Sequence, residues 1–140
     1  MEIKDIITAI SIKLNQVFGD AYTIYDDEIP QGFQAPAFLI LFLNFEQVKQ
    51  IGKRWRINTL FNVQYFPSGG RAEASNMSLK VQQALKEITL PNGSLMLGTG
   101  ANSEIVDGNT HNFMNFNFFL QEVEVKDFME SLEQHSTLKG

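Results

Sequence analysis

Two long stretches of alternating apolar and polar residues constrain this fold more than any other feature of the chain. RWRINTLFNVQYF runs from 54 to 66, and THNFMNFNFFLQ runs from 110 to 121. Alternation with a period of two is typical of β-strands that bury one face. The predicted buried rows are Ile57, Phe61, Val63 and Tyr65 on the first strand and Met114, Phe116, Phe118 and Leu120 on the second.

Each of these strands is predicted to be one arm of a long hairpin. PAFLILFLNFEQ, from 36 to 47, is apolar on both faces, as expected of a strand covered on both sides, and a polar connection then leads into the first alternating strand. Residues 94–125 form the second hairpin, because VDGN at 106–109 contains an Asp-Gly pair suited to a type I′ turn. GTG at 98–100 favours a bulge.

Two apolar stripes with helical spacing predict two helices packed on this sheet. The first helix starts near Ile3 and ends at Gly19, and a short strand follows near 22–25. On this helix, Ile6, Ile10 and Leu14 are predicted to be buried. The second helix follows the loop PSGGR and is expected to continue to PNG at 91–93. Its apolar stripe consists of Ala74, Met77, Val81, Ala84, Leu85 and Ile88.

These elements predict an α+β fold with the order α-β-β-β-α-β-β and an acidic C-terminal tail. Its mostly antiparallel sheet is built from two long hairpins plus a short strand, with two helices packed on it. A chain of 140 residues, of which 44% are hydrophobic, can bury one substantial core. We assign residues 1–128 to a single α+β domain and 129–140 to a flexible C-terminal tail.

Charge is unevenly distributed along the chain. The net charge is −5, yet residues 44–71 contain five basic residues and one acidic residue. Residues 104–133 reverse this ratio, with seven acidic residues and one basic residue. Because neutralised phosphates supply most of the affinity of nucleic-acid binders, the acidic balance argues against nucleic acid as the main partner.

The alternating strands also place uncharged amides on one shared face. Asn58 and Asn62 on one strand, and Asn115 and Asn117 on the other, lie opposite the apolar rows. Solvent-facing strands usually favour charged residues, so these amides suit a protein interface or a channel wall, with a merely solvated face as the alternative. A base-stacking platform is less favoured, because the second strand has no basic residue before Lys126.

Residues with catalytic or metal-binding potential are few. The chain has no cysteine, and its two histidines, His111 and His135, lack the neighbours of a known catalytic or metal motif. The acidic turn at 26–28 lacks the spacing of a calcium loop. The loop PSGGR lacks the Lys-Ser/Thr of a phosphate-binding loop. We therefore predict no enzyme, no cofactor and no metal.

Neither end of the chain predicts a membrane segment. The N-terminal MEIKDIITAI carries acidic residues and no long apolar run, unlike a signal peptide. The longest apolar run, from 35 to 43, is too short to cross a bilayer. We expect a soluble, cytoplasmic protein.

Three blocks of the sequence resemble the tail terminator, or tail-completion, proteins of tailed phages and prophages of Gram-positive bacteria. They are IKDIITAISIKLNQVFGDAYTIYDDEIPQGFQAPAFLI, RWRINTLFNVQYFP and EIVDGNTHNFMNFNFFLQ, which together cover most of the chain. The resemblance implies a structural protein that caps the tail tube as a ring, expected to be a hexamer. It stops tube polymerisation and offers a surface to the head-completion or connector protein.

The resemblance also implies where the protein works and what it contacts. Its partners would be further copies of itself, the tail tube protein and the connector, while DNA passes through without specific binding. It would assemble in the cytoplasm of a bacterial host and end in the tail of a virion or phage-like particle. A single-stranded nucleic-acid-binding module and a small α+β enzyme remain the alternatives.

Ring closure requires two different patches on each subunit, and the chain supplies two of opposite sign. The tip of the first hairpin is basic, and the segment after the second hairpin is acidic. These patches meet either between subunits or within one. With the amide face, they give the predicted interface residues Lys49, Lys53, Arg54, Arg56, Asn58, Asn62, Asn115, Asn117, Glu122, Glu124, Asp127 and Glu130.

Overall fold

The computed structural model of the chain describes residues 1–121. Within them, six strands form one sheet in the order β1-β2-β3-β6-β5-β4. The pairing of β1 with β2 is parallel, and every other pairing is antiparallel. The predicted α+β class and mostly antiparallel sheet are therefore confirmed. The elements are α1 (Ile3–Phe18), β1 (Thr23–Asp26), β2 (Ala37–Lys49), β3 (Arg54–Phe66), α2 (Arg71–Ala84), β4 (Glu87–Thr89), β5 (Leu95–Val106) and β6 (Asn109–Gln121).

The two alternating strands, β3 and β6, are neighbours at the centre of the sheet. They pair along twelve residues each, from Arg54 opposite Gln121 to Tyr65 opposite Thr110. Each is also joined to its own hairpin partner, β2 or β5. Their alternation was therefore a correct indication of two long hairpins that share one sheet.

Both helices cover the same face of the sheet. Ile10 of α1 and Val81 of α2 belong to one core cluster with Phe61 of β3 and Phe116 of β6, and all four are 0% exposed. Buried apolar area of this kind supplies most of the stability of a domain this size. The predicted burial of Ile6, Ile10, Leu14 and Phe116 is confirmed.

Local sequence signals correctly predicted the turns between several elements. Gly19, with φ of 90°, follows the last residue of α1. Asp107 and Gly108, with φ of 54° and 82°, form the two-residue loop between β5 and β6, as a type I′ turn requires. The register of β5 against β6 shifts between Thr99 and Asn102, which is the predicted bulge.

The end of α2 was predicted wrongly. The helix ends at Ala84 rather than at the PNG sequence, and Ile88 is buried as the middle residue of β4. The apolar spacing from Leu85 to Ile88 fits a helical turn, but β4 pairs there with the start of β5. Hydrogen bonding to the next strand along the chain overrides this helical pattern.

The burial of the β6 row was predicted only in part. Phe116 is fully buried and Phe118 is half-buried, but Leu120 is 44% exposed, so its predicted burial was wrong. All three residues lie on the helix-covered face, since they pair with Thr59, Ile57 and Trp55 of β3. The difference arises because the strands continue beyond the helix layer. We call this uncovered end of β2, β3 and β6 the overhang, which comprises residues 43–49, 54–58 and 117–121.

A part-buried set of hydrogen bonds to Glu73 connects the loop before α2 to the sheet. Tyr65 donates its phenolic hydrogen bond to the carboxylate of Glu73, which also accepts a bond from the backbone N–H of Gly69 at 2.6 Å. The hydrogen bond from Tyr65 lowers the pKa of Glu73 below its ordinary value of 4.5, while burial opposes this shift. Ionised Glu73 therefore contributes stability that is present above pH 4.5 and is lost as pH falls through its folded pKa.

We expect Tyr65→Phe to lower the free energy of unfolding by about 1–2 kcal/mol at pH 7, because the variant loses a hydrogen bond to a charged group. The difference from the wild type should shrink as pH falls through the folded pKa of Glu73, because protonation removes the charged acceptor. Urea unfolding of both proteins at pH 7 and along a descending pH series measures it. A difference that stays constant along the series would show that the loss does not come from the ionised pair.

Candidate assembly interface

The basic tip, which we define as Lys49, Lys53, Arg54 and Arg56, lies at the end of the β2–β3 hairpin. The ammonium group of Lys49 donates to the backbone carbonyl of Gly52 at 2.6 Å and lies 5.0 Å from the centroid of the Trp55 ring. Ile51, between the strands, is 96% exposed. The tip therefore presents charge and apolar surface together.

The two arginines of the basic tip lie on the opposite side of the sheet from Lys49. The guanidinium carbon of Arg54 is 3.8 Å from the centroid of the Phe119 ring, a cation–π contact with the neighbouring strand. Arg56 donates from Nε to the side-chain oxygen of Asn58 at 2.8 Å. The sheet therefore separates the positive charge of the tip onto two faces.

No acidic side chain within residues 1–121 forms an ion pair with any residue of the basic tip. The ion pair in this part of the chain, Lys4 with Glu2 at 3.5 Å, belongs to the start of α1. Among the described residues, the four positive charges therefore have no acidic partner. The predicted partner residues Glu122, Glu124, Asp127 and Glu130 lie outside the described residues, as does the predicted boundary between 128 and 129.

The four predicted asparagines lie on one face of the sheet, opposite the helices. Asn58 pairs directly with Asn117 across β3 and β6, and Asn62 and Asn115 lie further along the same strands. Asn58 also donates to Glu46 Oε1 at 3.0 Å, so this face is not wholly uncharged. We call these four residues the amide face.

The amide face is only partly accessible in a single chain. Asn62 is 6% exposed, and its Nδ2 lies 3.1 Å from Nδ1 of His111. Asn115 donates to the backbone carbonyl of Thr59 at 3.0 Å. The side-chain oxygens of Asn62 and Asn117 are buried without a hydrogen-bond partner within residues 1–121. Asn62 and Asn115 therefore form hydrogen bonds within the fold. Contact of the amide face with another subunit stays a prediction.

Sequence reasoning missed the apolar surface of the overhang. Its large side chains are exposed on both faces of the sheet, where the prediction had assigned Leu120 of β6 to the core and β2 to a strand covered on both sides. The missed signal was the apolar stretch of β2, which continues past the last residue paired with β1, Ile40. The exposed residues, each between 37% and 50% accessible, are Leu43, Phe45, Val48, Phe119 and Leu120.

Of the two histidines considered for catalysis or metal binding, His111 packs among side chains of the sheet, and His135 lies outside the described residues. His111 contacts Asn62, and its ring stacks on Phe113 at a centroid distance of 6.5 Å. Residues 1–121 contain no group of three or more His, Asp or Glu side chains placed to hold a metal ion. No helix in the same range is long and apolar enough to span a membrane.

Comparisons with known proteins give one family. Residues 5–128 match a family model described as phage tail terminator protein. No curated protein matches the chain. Among solved structures, a chain in the virion of a native gene transfer agent particle is similar, with 16% sequence identity and a TM-score of 0.49. That similarity covers 84% of this chain and 96% of the other.

Proposed function

The chain belongs to the phage tail terminator family and is a structural protein of the phage tail, and from this premise we propose that it caps the tail tube as a ring. The cap stops the addition of tube subunits and presents the surface to which the head-completion or connector protein joins. The family match over residues 5–128 is the observation that carries the proposal. In this role the protein is a scaffold rather than an enzyme.

The ring is a cyclic assembly of this chain, for which we propose six copies. Its interface is heterologous, because each copy must present one patch to the preceding copy and a different patch to the next. Within residues 1–121 no acidic side chain forms an ion pair with the basic tip, which supports this arrangement. We propose that it meets the acidic residues Glu122, Glu124, Asp127 and Glu130 of the adjacent copy, which gives the encounter its direction.

The partners along the tail are the tube protein on one side of the ring and the connector on the other. DNA passes through the opening without specific binding, and the net charge of −5 supports this. Assembly takes place in the cytoplasm of the bacterial host, and the cap then remains in the tail of the particle. Tight binding of single-stranded nucleic acid in a filter assay, steeply weakened by salt, would instead support the nucleic-acid alternative.

The experiment that tests the cap compares tails from phage-producing cells with and without this protein. Electron microscopy of cells that lack it should show tubes of uncontrolled length without attached heads. Adding the purified chain should end tube growth and leave a ring of density at the tube end. Tubes of normal length joined to heads in its absence would exclude the proposal.

We propose that the amide face contacts another subunit or lines the opening of the ring. Asn117→Glu should then impair assembly and tail completion, because it puts a charged carboxylate in place of a buried amide oxygen. Particle yield measures the effect, and a thermal melt of the purified variant separates it from unfolding. Full particle yield from a folded variant would indicate an ordinary solvated face.

A further inference from the structure

An apolar groove lies in the overhang, on the helix-covered side of the sheet. Its floor is formed by Ile57, Phe118 and Leu120, and Phe45 lines one side. Ile3, at the start of α1, closes the end nearest the helices. The groove has a volume of about 270 Å³ and is open to solvent. An apolar surface of this kind on a small protein usually marks a contact with another segment or chain.

The sequence beyond the described residues has a pattern that suits such a groove. The described part ends at Gln121, which pairs with Arg54 at the tip of the hairpin, and 19 residues follow. Their apolar residues include four with the spacing of one helical face. These four residues, which we call the terminal stripe, are Val125, Phe128, Met129 and Leu132.

We propose that the groove of each copy receives the terminal stripe of the adjacent copy in the assembled ring. This inference rests on the proposed ring and names the apolar contact that holds it together. Exposed ion pairs contribute only about 0–1 kcal/mol each, so charge alone would not hold copies together. Burial of the groove and of the terminal stripe supplies the missing affinity.

The groove is short and fits side chains of the terminal stripe. From Phe118 to Leu120, which both line it, a strand advances about 7 Å at 3.3 Å per residue. The three strands of the overhang span about 10 Å across it. The groove therefore receives part of the terminal stripe, of which Phe128 and Met129 are the largest side chains.

The direction of β6 favours the groove of another copy over the groove of the same chain. At Gln121 the strand points away from α1 and α2, toward the tip of the hairpin. To reach its own groove, the chain would have to reverse within residues 122–124. The sequence there, Glu-Val-Glu, contains none of the Gly, Pro, Asn or Asp residues that favour tight turns, and its valine favours extended backbone.

The charges around the groove also match those of the terminal segment. Lys49 lies on the same side of the sheet as the groove, one row beyond Ile57 and next to Trp55. Glu124 precedes the terminal stripe and Glu133 follows it in sequence. A terminal stripe seated in the groove would therefore place negative charge near the basic tip, which joins the apolar and the charged contacts in one interface.

A cysteine pair tests this contact directly, because the natural chain has no cysteine. One variant carries Gln47→Cys, at the side of the groove, and a second carries Met129→Cys, within the terminal stripe. The two full-length variants are produced together in cells that assemble tails, and the particles are then oxidised. Denaturing gels should show a covalent dimer that requires both variants, and a chain carrying both cysteines should give a ladder of multimers.

The control replaces Gln47→Cys with Leu79→Cys, an exposed position on α2, and should give no covalent dimer. A compact, internally linked monomer from the doubly substituted chain would show that the terminal stripe occupies the groove of the same chain. It would overturn the proposed docking between adjacent copies. Capped particles without any cross-link would overturn the docking and leave the proposed function intact. Uncapped tails in cells that make the natural chain would count against the proposed function itself.

A second variant measures the apolar contribution to the contact. Phe128→Ser with Met129→Ser should weaken association of the copies at least about tenfold, since two large apolar side chains are lost. Leu138→Ser is the matched control, because it lies outside the terminal stripe in the same segment. Sedimentation of the full-length chains over a concentration series measures both. Equal association of the two variants would contradict the proposal.

Discussion

Replacing Phe116 with Ala should lower the free energy of unfolding by about 3–5 kcal/mol, the largest effect on stability that we expect from a single substitution. The ring is 0% exposed at the centre of the sheet, and its centroid lies 5.9 Å from that of Phe61. Its removal leaves a cavity beneath α1 and α2 that the surrounding strands cannot close, because both are held in long ladders. Urea or thermal unfolding of the purified variant measures the loss.

Phe118→Ala is the matched comparison, since this residue is two positions further along the same face of β6. Its ring is only half-buried and borders the groove of the overhang, so the variant should lose much less stability. The pair of variants therefore tests where the helix layer ends. Equal losses would mean that the overhang is covered in the isolated chain.

Reversing two charges of the basic tip should have the largest effect on assembly. The double variant Lys53→Glu, Arg54→Glu should slow ring formation by about 10- to 1000-fold at low salt, because electrostatic steering is reversed into repulsion. The fold should survive, since an exposed cation–π contact such as that of Arg54 with Phe119 contributes only about 0.5–1 kcal/mol. Sizing or native mass spectrometry across a salt series, together with tail yield, measures the effect.

The control for this variant changes the net charge equally at a distant site. Lys13→Glu with Lys80→Glu places two reversed charges on the helices, away from the hairpin tip. Assembly of the wild type should slow as salt rises, because the screening length is about 10 Å at 0.1 M. Normal tail completion by the double variant of the tip would exclude a role for its charge.

The sheet was predictable because its central strands largely alternate between apolar and polar residues. Ile57, Phe61 and Val63 on β3, and Met114 and Phe116 on β6, all lie on the helix-covered face, as their spacing indicated. A period of two fixes the face of every residue once one residue is assigned. The hairpin turn at Asp107 and the end of α1 at Gly19 were predictable because few residue types adopt the positive φ found at these positions.

The limits of the helix layer were not predictable from the same pattern. Periodicity reports which face of a strand is apolar, but not how far another element extends over that face. Leu120 has the spacing of a core residue and lies beyond the helices. The short strand β4 was missed because three residues are too few to show a period.

For the candidate interface, the sequence predicted which residues share a face of the sheet, but not the surroundings of each residue. Strand parity correctly brought Asn58 and Asn117 together, yet it could not show that Asn62 is buried against His111. Charge counting identified the basic tip but not the apolar groove beside it. That groove depends on where α1 begins relative to three strands, which is a property of the assembled chain.

The outer edge of β2 has a consequence for how the protein behaves before it meets its partners. Beyond Ile40, no strand within residues 1–121 pairs with this edge, and unpaired edges with apolar neighbours promote uncontrolled aggregation. The edge is interrupted by the register shift between Phe42 and Asn44, and it carries Glu46 and Lys49. A bulge and alternating charges keep flat strands from joining edge to edge. The chain can therefore expose an apolar surface for its partners without edge-to-edge aggregation before assembly.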